Sequence, residues 1–142
     1  MEKIEKFKTE LIQSKIKPSL IRLKVLEYLR NTRTHPDVEY IYKELLKIIP
    51  TLSKTSIYNA LNLFVKNGLV KEILIENEEI RYDGIKERHA HLKCVECKKL
   101  IDVKLKCKCC KNVLKNKNIE IFDEHIYFVG LCPECKKKKE AL

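Results

Sequence analysis

Two Cys-x-x-Cys spacings constrain this chain more than any other feature: Cys94-Val95-Glu96-Cys97 and Cys132-Pro133-Glu134-Cys135. Each pair can form a knuckle that presents two sulfurs at tetrahedral angles. Two knuckles complete a closed four-cysteine zinc site, which contributes folding energy and leaves no open coordination position. The knuckles are too far apart in sequence for a compact zinc ribbon, so the site is expected to tie distant strands together. Four structural cysteines without a metal are the alternative. A third spacing, Cys107 to Cys110 within Cys107-Lys108-Cys109-Cys110, competes for the partner role. The 132/135 pair is preferred because Pro133 suits the knuckle turn, whereas 107–110 sits in a lysine-rich run. The three extra cysteines then form a surface segment, a redox-sensitive thiol cluster or an adventitious metal site.

Seven cysteines would suit disulfides in a small secreted protein. The start, Met1-Glu2-Lys3-Ile4-Glu5-Lys6-Phe7, alternates charge with apolar residues and has no signal-peptide core, and no later stretch approaches membrane-spanning length. A cytoplasmic protein with thiolate ligands and no membrane partner is expected. Its 142 residues, 44% hydrophobic and 35% charged, describe a folded chain of one ordinary domain or two small ones. The net charge of +10 favours an anionic partner such as nucleic acid. Residues 1–83 hold 15 Lys and Arg against 12 Asp and Glu, and residues 84–142 hold 15 against 8, so the excess lies mainly in the cysteine-rich half.

The first half reads as four amphipathic helices, with apolar residues at three- and four-residue steps: Ile4, Phe7, Leu11; Leu23, Leu26, Leu29; Val38, Ile41, Leu45; Ile57, Leu61, Phe64. Ser19 precedes the second and Ser53 the fourth, and His35-Pro36-Asp37 opens the third with Pro near its first turn. The fourth is expected to end in a left-handed cap at Asn67-Gly68. Leu69–Ile75 and Ile80-Arg81-Tyr82, on either side of Asn77, then read as a β-hairpin. Helices followed by a hairpin make a winged helix-turn-helix over residues 1–83. Residues 84–88 are polar, carry Gly84 and read as a hinge. Beyond it, over 89–142, His89–Leu92, Leu100–Leu105 and Ile126–Leu131 are strand candidates and Val113–Lys117 a short helix. The fold class is therefore α+β: an N-terminal winged helix-turn-helix followed by a small α/β domain with a structural zinc site.

His89-Ala90-His91 is the second constellation, because residues two apart on a strand share a face and both imidazoles can reach one metal. With Asp83 upstream and Asp102 beyond the first knuckle, a mixture of imidazole and carboxylate suits Fe(II), Mn(II) or Zn rather than a thiolate-preferring metal.

His35-Pro36-Asp37, the run Ser53-Lys54-Thr55-Ser56-Ile57-Tyr58-Asn59-Ala60-Leu61-Asn62, Gly68-Leu69-Val70-Lys71-Glu72, Arg81-Tyr82-Asp83, His89-Ala90-His91, both knuckles and Gly130 occur in the order of the ferric uptake regulator family. The resemblance runs from about Ile16 to Cys135. Tyr58-Asn59, Phe64 and Gly68-Leu69-Val70-Lys71-Glu72 look most like its peroxide-responsive repressors. It implies a structural zinc on Cys94, Cys97, Cys132 and Cys135, and a regulatory Fe(II) or Mn(II) on His35, Asp83, His89, His91 and Asp102. His35 enters only through the resemblance. Two departures stand out. Ser19-Leu20-Ile21-Arg22 replaces the family's Thr-Pro-Gln-Arg, so only Ser19 and Arg22 carry over. His125 lies one residue nearer Cys132 than the family histidine of a further metal site, with Glu124 in its place, and no third site is assigned.

The resemblance implies a homodimeric, non-enzymatic repressor in which metal closes the hinge and spaces two recognition helices for a palindromic operator. It implies that residues 1–83 are the DNA-binding domain and 89–142 the dimerisation domain. The fourth helix is expected to read double-stranded DNA, with Ser56, Tyr58 and Asn59 near bases or phosphates and Arg22 on the backbone. In the peroxide branch, Fe(II) reacts with hydrogen peroxide and oxidises a coordinating histidine, here His35 or His89, and Asp rather than Glu at position 102 is the associated feature. An iron- or zinc-responsive uptake regulator is the alternative within the family. Outside it stand a non-haem metalloenzyme built on His89, His91 and a carboxylate, for which no substrate domain is evident, and a thiol-rich storage or redox protein, which leaves the winged helix unexplained.

Overall fold

In the computed structural model, which describes residues 2–74, 80–106, 118–120 and 124–141, the chain divides into two compact units, the first running to Lys86 and the second from Glu87. The first unit holds α1 (Glu2–Gln13), α2 (Leu20–Asn31), α3 (Val38–Leu46) and α4 (Lys54–Lys66), then the antiparallel strands β1 (Lys71–Ile73) and β2 (Arg81–Asp83). Each helix start after the first is fixed by a side chain that satisfies an otherwise orphaned backbone donor. Ser19 accepts from the Arg22 N–H, Asp37 from Tyr40 and Ser53 from Ser56. The sequence placed Pro36 near the first turn of α3. It lies one residue ahead of the Asp37 cap, and its carbonyl accepts the Tyr82 N–H at 2.9 Å.

Helix α4 stops at Gly68, whose φ of 74° lets the Leu69 N–H return to the Phe64 carbonyl and the Gly68 N–H to Val65. This double closure satisfies carbonyls that the helix end would leave orphaned. The apolar faces of the four helices meet in one core, with Leu11, Leu26, Leu29, Ile41, Ile57, Leu61 and Phe64 fully buried. Helices and hairpin together form the winged helix-turn-helix of an α+β fold.

The second unit is a mixed three-stranded sheet in the order β4-β3-β5, from β3 (His89–Cys94), β4 (Leu100–Lys104) and β5 (Tyr127–Gly130). Strand β3 runs antiparallel to β4 and parallel to β5. A final helix, α5 (Pro133–Glu140), was not anticipated from the sequence; it buries none of its side chains and has no apolar periodicity to find. The extra cysteines Cys107, Cys109 and Cys110, the expected helix at 113–117 and the turn at Asn77 lie outside the described residues. No helix among the described residues is long and apolar enough to cross a membrane.

Candidate metal centres

The ligand sulfurs of Cys94, Cys97, Cys132 and Cys135 all lie within 4.8 Å of one another. Cys97 Sγ and Cys132 Sγ are 3.8 Å apart, about the edge of a tetrahedron with zinc–sulfur bonds of about 2.3 Å. The backbone explains the convergence. Strand β3 ends at Cys94, and the chain turns through Lys98, whose φ of 64° closes the knuckle. The Lys98 N–H reaches the Cys94 carbonyl and the Cys94 N–H reaches Lys99, each at 3.0 Å. The parallel pairing of Cys94 with Gly130 delivers the second knuckle beside the first. Cys132 then caps α5, its sulfur accepting the Cys135 N–H at 3.4 Å. Pro133 falls in the first turn of that helix, where its missing N–H costs nothing.

The thiols influence one another strongly. Backbone N–H groups of Cys132 and Cys97 pull the Cys94 thiol down to about 6. Hydrogen bonding to Cys132, followed by burial, pushes Cys135 up to about 12. One thiolate is favoured and a second is opposed, and a divalent cation is the group that allows all four to ionise together. The donor set therefore fits zinc.

Further along the same sheet, the β3–β4 register places Asp102 directly opposite His91, and His89, two residues back, shares that face. His89 Nδ1 lies 2.5 Å from the Glu87 carbonyl. A proton on Nδ1 satisfies that contact and leaves the Nε2 lone pair for a ligand. His89 Nε2 and His91 Nε2 are 3.1 Å apart, and Asp102 Oδ1 lies 3.5 Å from the first and 3.7 Å from the second. Two adjacent ligands at about 2.1 Å from one ion, at right angles, stand about 3 Å apart. The triad fits a borderline divalent cation that accepts nitrogen and oxygen donors.

The first unit carries a smaller set of the same chemistry. His35 and Asp83 are almost fully buried, with Nδ1 of the histidine 3.8 Å from Oδ2 of the aspartate. Asp83 closes strand β2, and the Ile85 N–H holds its Oδ1 at 2.8 Å. Gly84 follows because nothing larger fits: an added Cβ would stand 2.7 Å from the backbone of Leu29. That close approach, rather than a turn requirement, accounts for the glycine.

On α4, Tyr58 is 47% exposed and Asn59 is exposed beside it, while Ile57, Ala60, Leu61 and Phe64 face the core. Ser56 is half-buried, its hydroxyl 2.8 Å from that of Ser53. The Arg22 guanidinium turns back to the Lys17 carbonyl at 2.7 Å. Among groups that hold the metal-site residues in place, the sequence reading overlooked the Glu87 carbonyl and the Ile85 N–H, for which no side-chain pattern gives a signal.

A sequence profile of the ferric uptake regulator family matches residues 13–129. The chain belongs to the ferric uptake regulator family. This regulator is 32% identical to the peroxide operon regulator of Bacillus subtilis, over 81% of this chain and 81% of that protein. Among solved structures it is similar to the peroxide stress regulator of Campylobacter jejuni, with a TM-score of 0.72 and 26% identity over 95% of this chain and 100% of that one. It shares its fold with the ferric uptake regulator of Pseudomonas aeruginosa with manganese, at a TM-score of 0.75 and 22% identity over 88% and 96% of the two chains. The winged helix, the four-cysteine cluster and the His and Asp donors are thus those of a metal-responsive regulator.

Proposed function

We propose that this regulator is a dimeric, metal-dependent repressor that binds a palindromic operator in the cytoplasm and releases it when hydrogen peroxide oxidises a metal-ligand histidine. The observation that carries the reading is the division of one donor chemistry between two units: His35 and Asp83 in the first, His89, His91 and Asp102 in the second. In this reading the five side chains share one Fe(II) or Mn(II), residues 84–88 act as the hinge, and the four-cysteine cluster holds a structural zinc. A cation with ligands in both units favours a single arrangement of them, and in a dimer this sets the spacing of two α4 helices for successive major grooves. Tyr58, Asn59 and Ser56 then face the DNA and Arg22 reaches the phosphate backbone.

The peroxide assignment draws support from the Bacillus subtilis and Campylobacter jejuni proteins, whose names state that response. Fe(II) held there would supply the one-electron chemistry that splits the peroxide O–O bond beside an imidazole; overall the ring gives up two electrons, one peroxide oxygen is added at its carbon and the other leaves as water. His89 presents Nε2 because its Nδ1 is occupied by the Glu87 carbonyl, and His35 is held against Asp83. Loss of a ligand on either unit would free the hinge.

Operator binding by zinc-loaded protein with Mn(II) or Fe(II), each with and without peroxide, tests the proposal. Both metals should confer binding that weakens steeply with salt, as counterion release requires. Peroxide should release the iron form alone, with one oxygen mass added at His35 or His89. Oxidation confined to the cysteines, or release of iron-loaded protein with unmodified histidines, would overturn the peroxide mechanism. Equal affinity for operator and random DNA would overturn the repressor.

A further inference from the structure

His35 occupies an unusual place. It is 1% exposed and its φ is 51°, in the left-handed region that residues other than glycine adopt uncommonly, histidine being among the more tolerant. The contacts of the surrounding backbone show what fixes it there. The three carbonyls at 34, 35 and 36 are all taken by strand β2. Arg81 donates from Nη2 to Thr34 at 2.6 Å and from Nε to His35 at 2.5 Å. The Tyr82 N–H donates to Pro36 at 2.9 Å. The next residue of the strand is Asp83, whose Oδ2 faces His35 Nδ1 and whose Oδ1 is held by Ile85. The outgoing strand of the wing therefore grips the His35 backbone and supplies its carboxylate partner.

We propose that Arg81 is the positioning residue of the His35–Asp83 half-site, its planar fork setting the 34–36 backbone against β2 so that the His35 imidazole faces the divalent cation; this rests on the assignment of His35 and Asp83 as ligands. Two diverging N–H groups on one rigid plane match two successive carbonyls, a task a lysine ammonium cannot reproduce. A group that orients a ligand commonly sets metal affinity by about 10- to 100-fold without touching the metal. Arg81 also pairs with Ile73 across the hairpin, so the same residue joins the His35 backbone to both strands of the wing.

The test measures Mn(II) affinity by titration calorimetry on the full, zinc-loaded chain for wild type, Arg81→Ala, Arg81→Lys and Asp83→Asn, with far-UV circular dichroism and zinc stoichiometry as controls. Arg81→Ala should weaken Mn(II) at least tenfold with both controls unchanged, and Arg81→Lys should not restore it. A second readout separates positioning from general stability: after iron loading at saturation and a peroxide pulse, the share of added oxygen at His35 relative to His89 should fall in both Arg81 variants. Should Arg81→Ala lose its helical signal, Arg81→Lys alone decides by the same two measurements. Wild-type Mn(II) affinity and an unchanged His35 share in a folded Arg81 variant would overturn the proposal while Asp83→Asn still loses binding. Unaltered binding in Asp83→Asn would instead overturn the ligand assignment on which it stands.

Discussion

The two units of the molecule are held together by different means. The first closes four amphipathic helices over a core in which Leu11, Leu26, Leu29, Ile41, Ile57, Leu61 and Phe64 are fully buried. In the second, the buried apolar positions among the described residues are Ala90, Cys94, Leu100 and Cys132, two of which are knuckle cysteines. Helix α5 buries nothing and is tied to the sheet through Cys132 and Cys135. Apolar burial of about 25 cal/mol per Å2 stabilises the helical unit, whereas so small a sheet needs a cross-link, and a structural metal is the usual one. We therefore expect the second unit to fold only with its metal and the first to fold without one.

Removing the metal should separate them most sharply. In Cys97→Ser, or after exhaustive chelation of the full chain, we expect stoichiometric zinc to be lost, amide protection to collapse over β3, β5 and α5, and protection in α2 and α4 to stay as in wild type. Segment-resolved hydrogen exchange alongside zinc quantitation checks this. Equal loss in both units, or a protected second unit without zinc, would break the comparison.

The converse perturbation is smaller. Phe64→Ala opens a void in the helical core, where such truncations cost about 3–5 kcal/mol, and it touches no proposed ligand. Denaturant unfolding followed on helix signal should show that loss while zinc stoichiometry remains that of wild type. A change below about 1 kcal/mol would mean that the core relaxes around the gap and is less tightly packed than the burial of Phe64 implies.

The same division explains what could be read from the sequence. Helices α2, α3 and α4 announce themselves because capping residues and an apolar stripe are local properties of consecutive positions: Ser19, Asp37 and Ser53 are caps in the structure. The four-cysteine cluster was legible for a related reason, since a tetrahedral ion demands paired thiolates at short spacing. His89 and His91 were legible from strand alternation, but the facing of His91 by Asp102 depends on register, which no local pattern states. His35 came only from family resemblance. Its left-handed backbone and the Arg81 fork that grips it are long-range facts, 46 residues apart in sequence. Helix α5 was missed because it has no apolar face.

Acid should sharpen the comparison in a subtler way, through one buried ion cluster in the first unit. Glu10 accepts from Arg30 and pairs with Lys86 at 3.0 Å, with its side chain 11% exposed. Burial works against the carboxylate, yet the hydrogen bonds from Arg30 and Lys86 outweigh it and hold its pKa below the ordinary 4.5. Arg30 also donates to the carbonyls of Leu69 and Gly84, so the cluster joins α1 and α2 to both ends of the wing. The folded form binds this proton less readily than the unfolded one, so the stabilisation is fully present above the unfolded carboxyl value and is lost as pH falls through the lower folded value. Glu10→Gln should therefore destabilise the first unit at neutral pH by less than Phe64→Ala does, and approach wild type only once pH has fallen below the lowered folded value of Glu10, where both side chains are neutral. The second unit responds to acid by another route, since protonated cysteines release their metal, and that response should be the same in wild type and Glu10→Gln. Thermal unfolding followed segment by segment across this range distinguishes the two. A first unit whose acid sensitivity survives Glu10→Gln undiminished would place the titrating group elsewhere and remove Glu10 from the account of how the wing is tied to the helices.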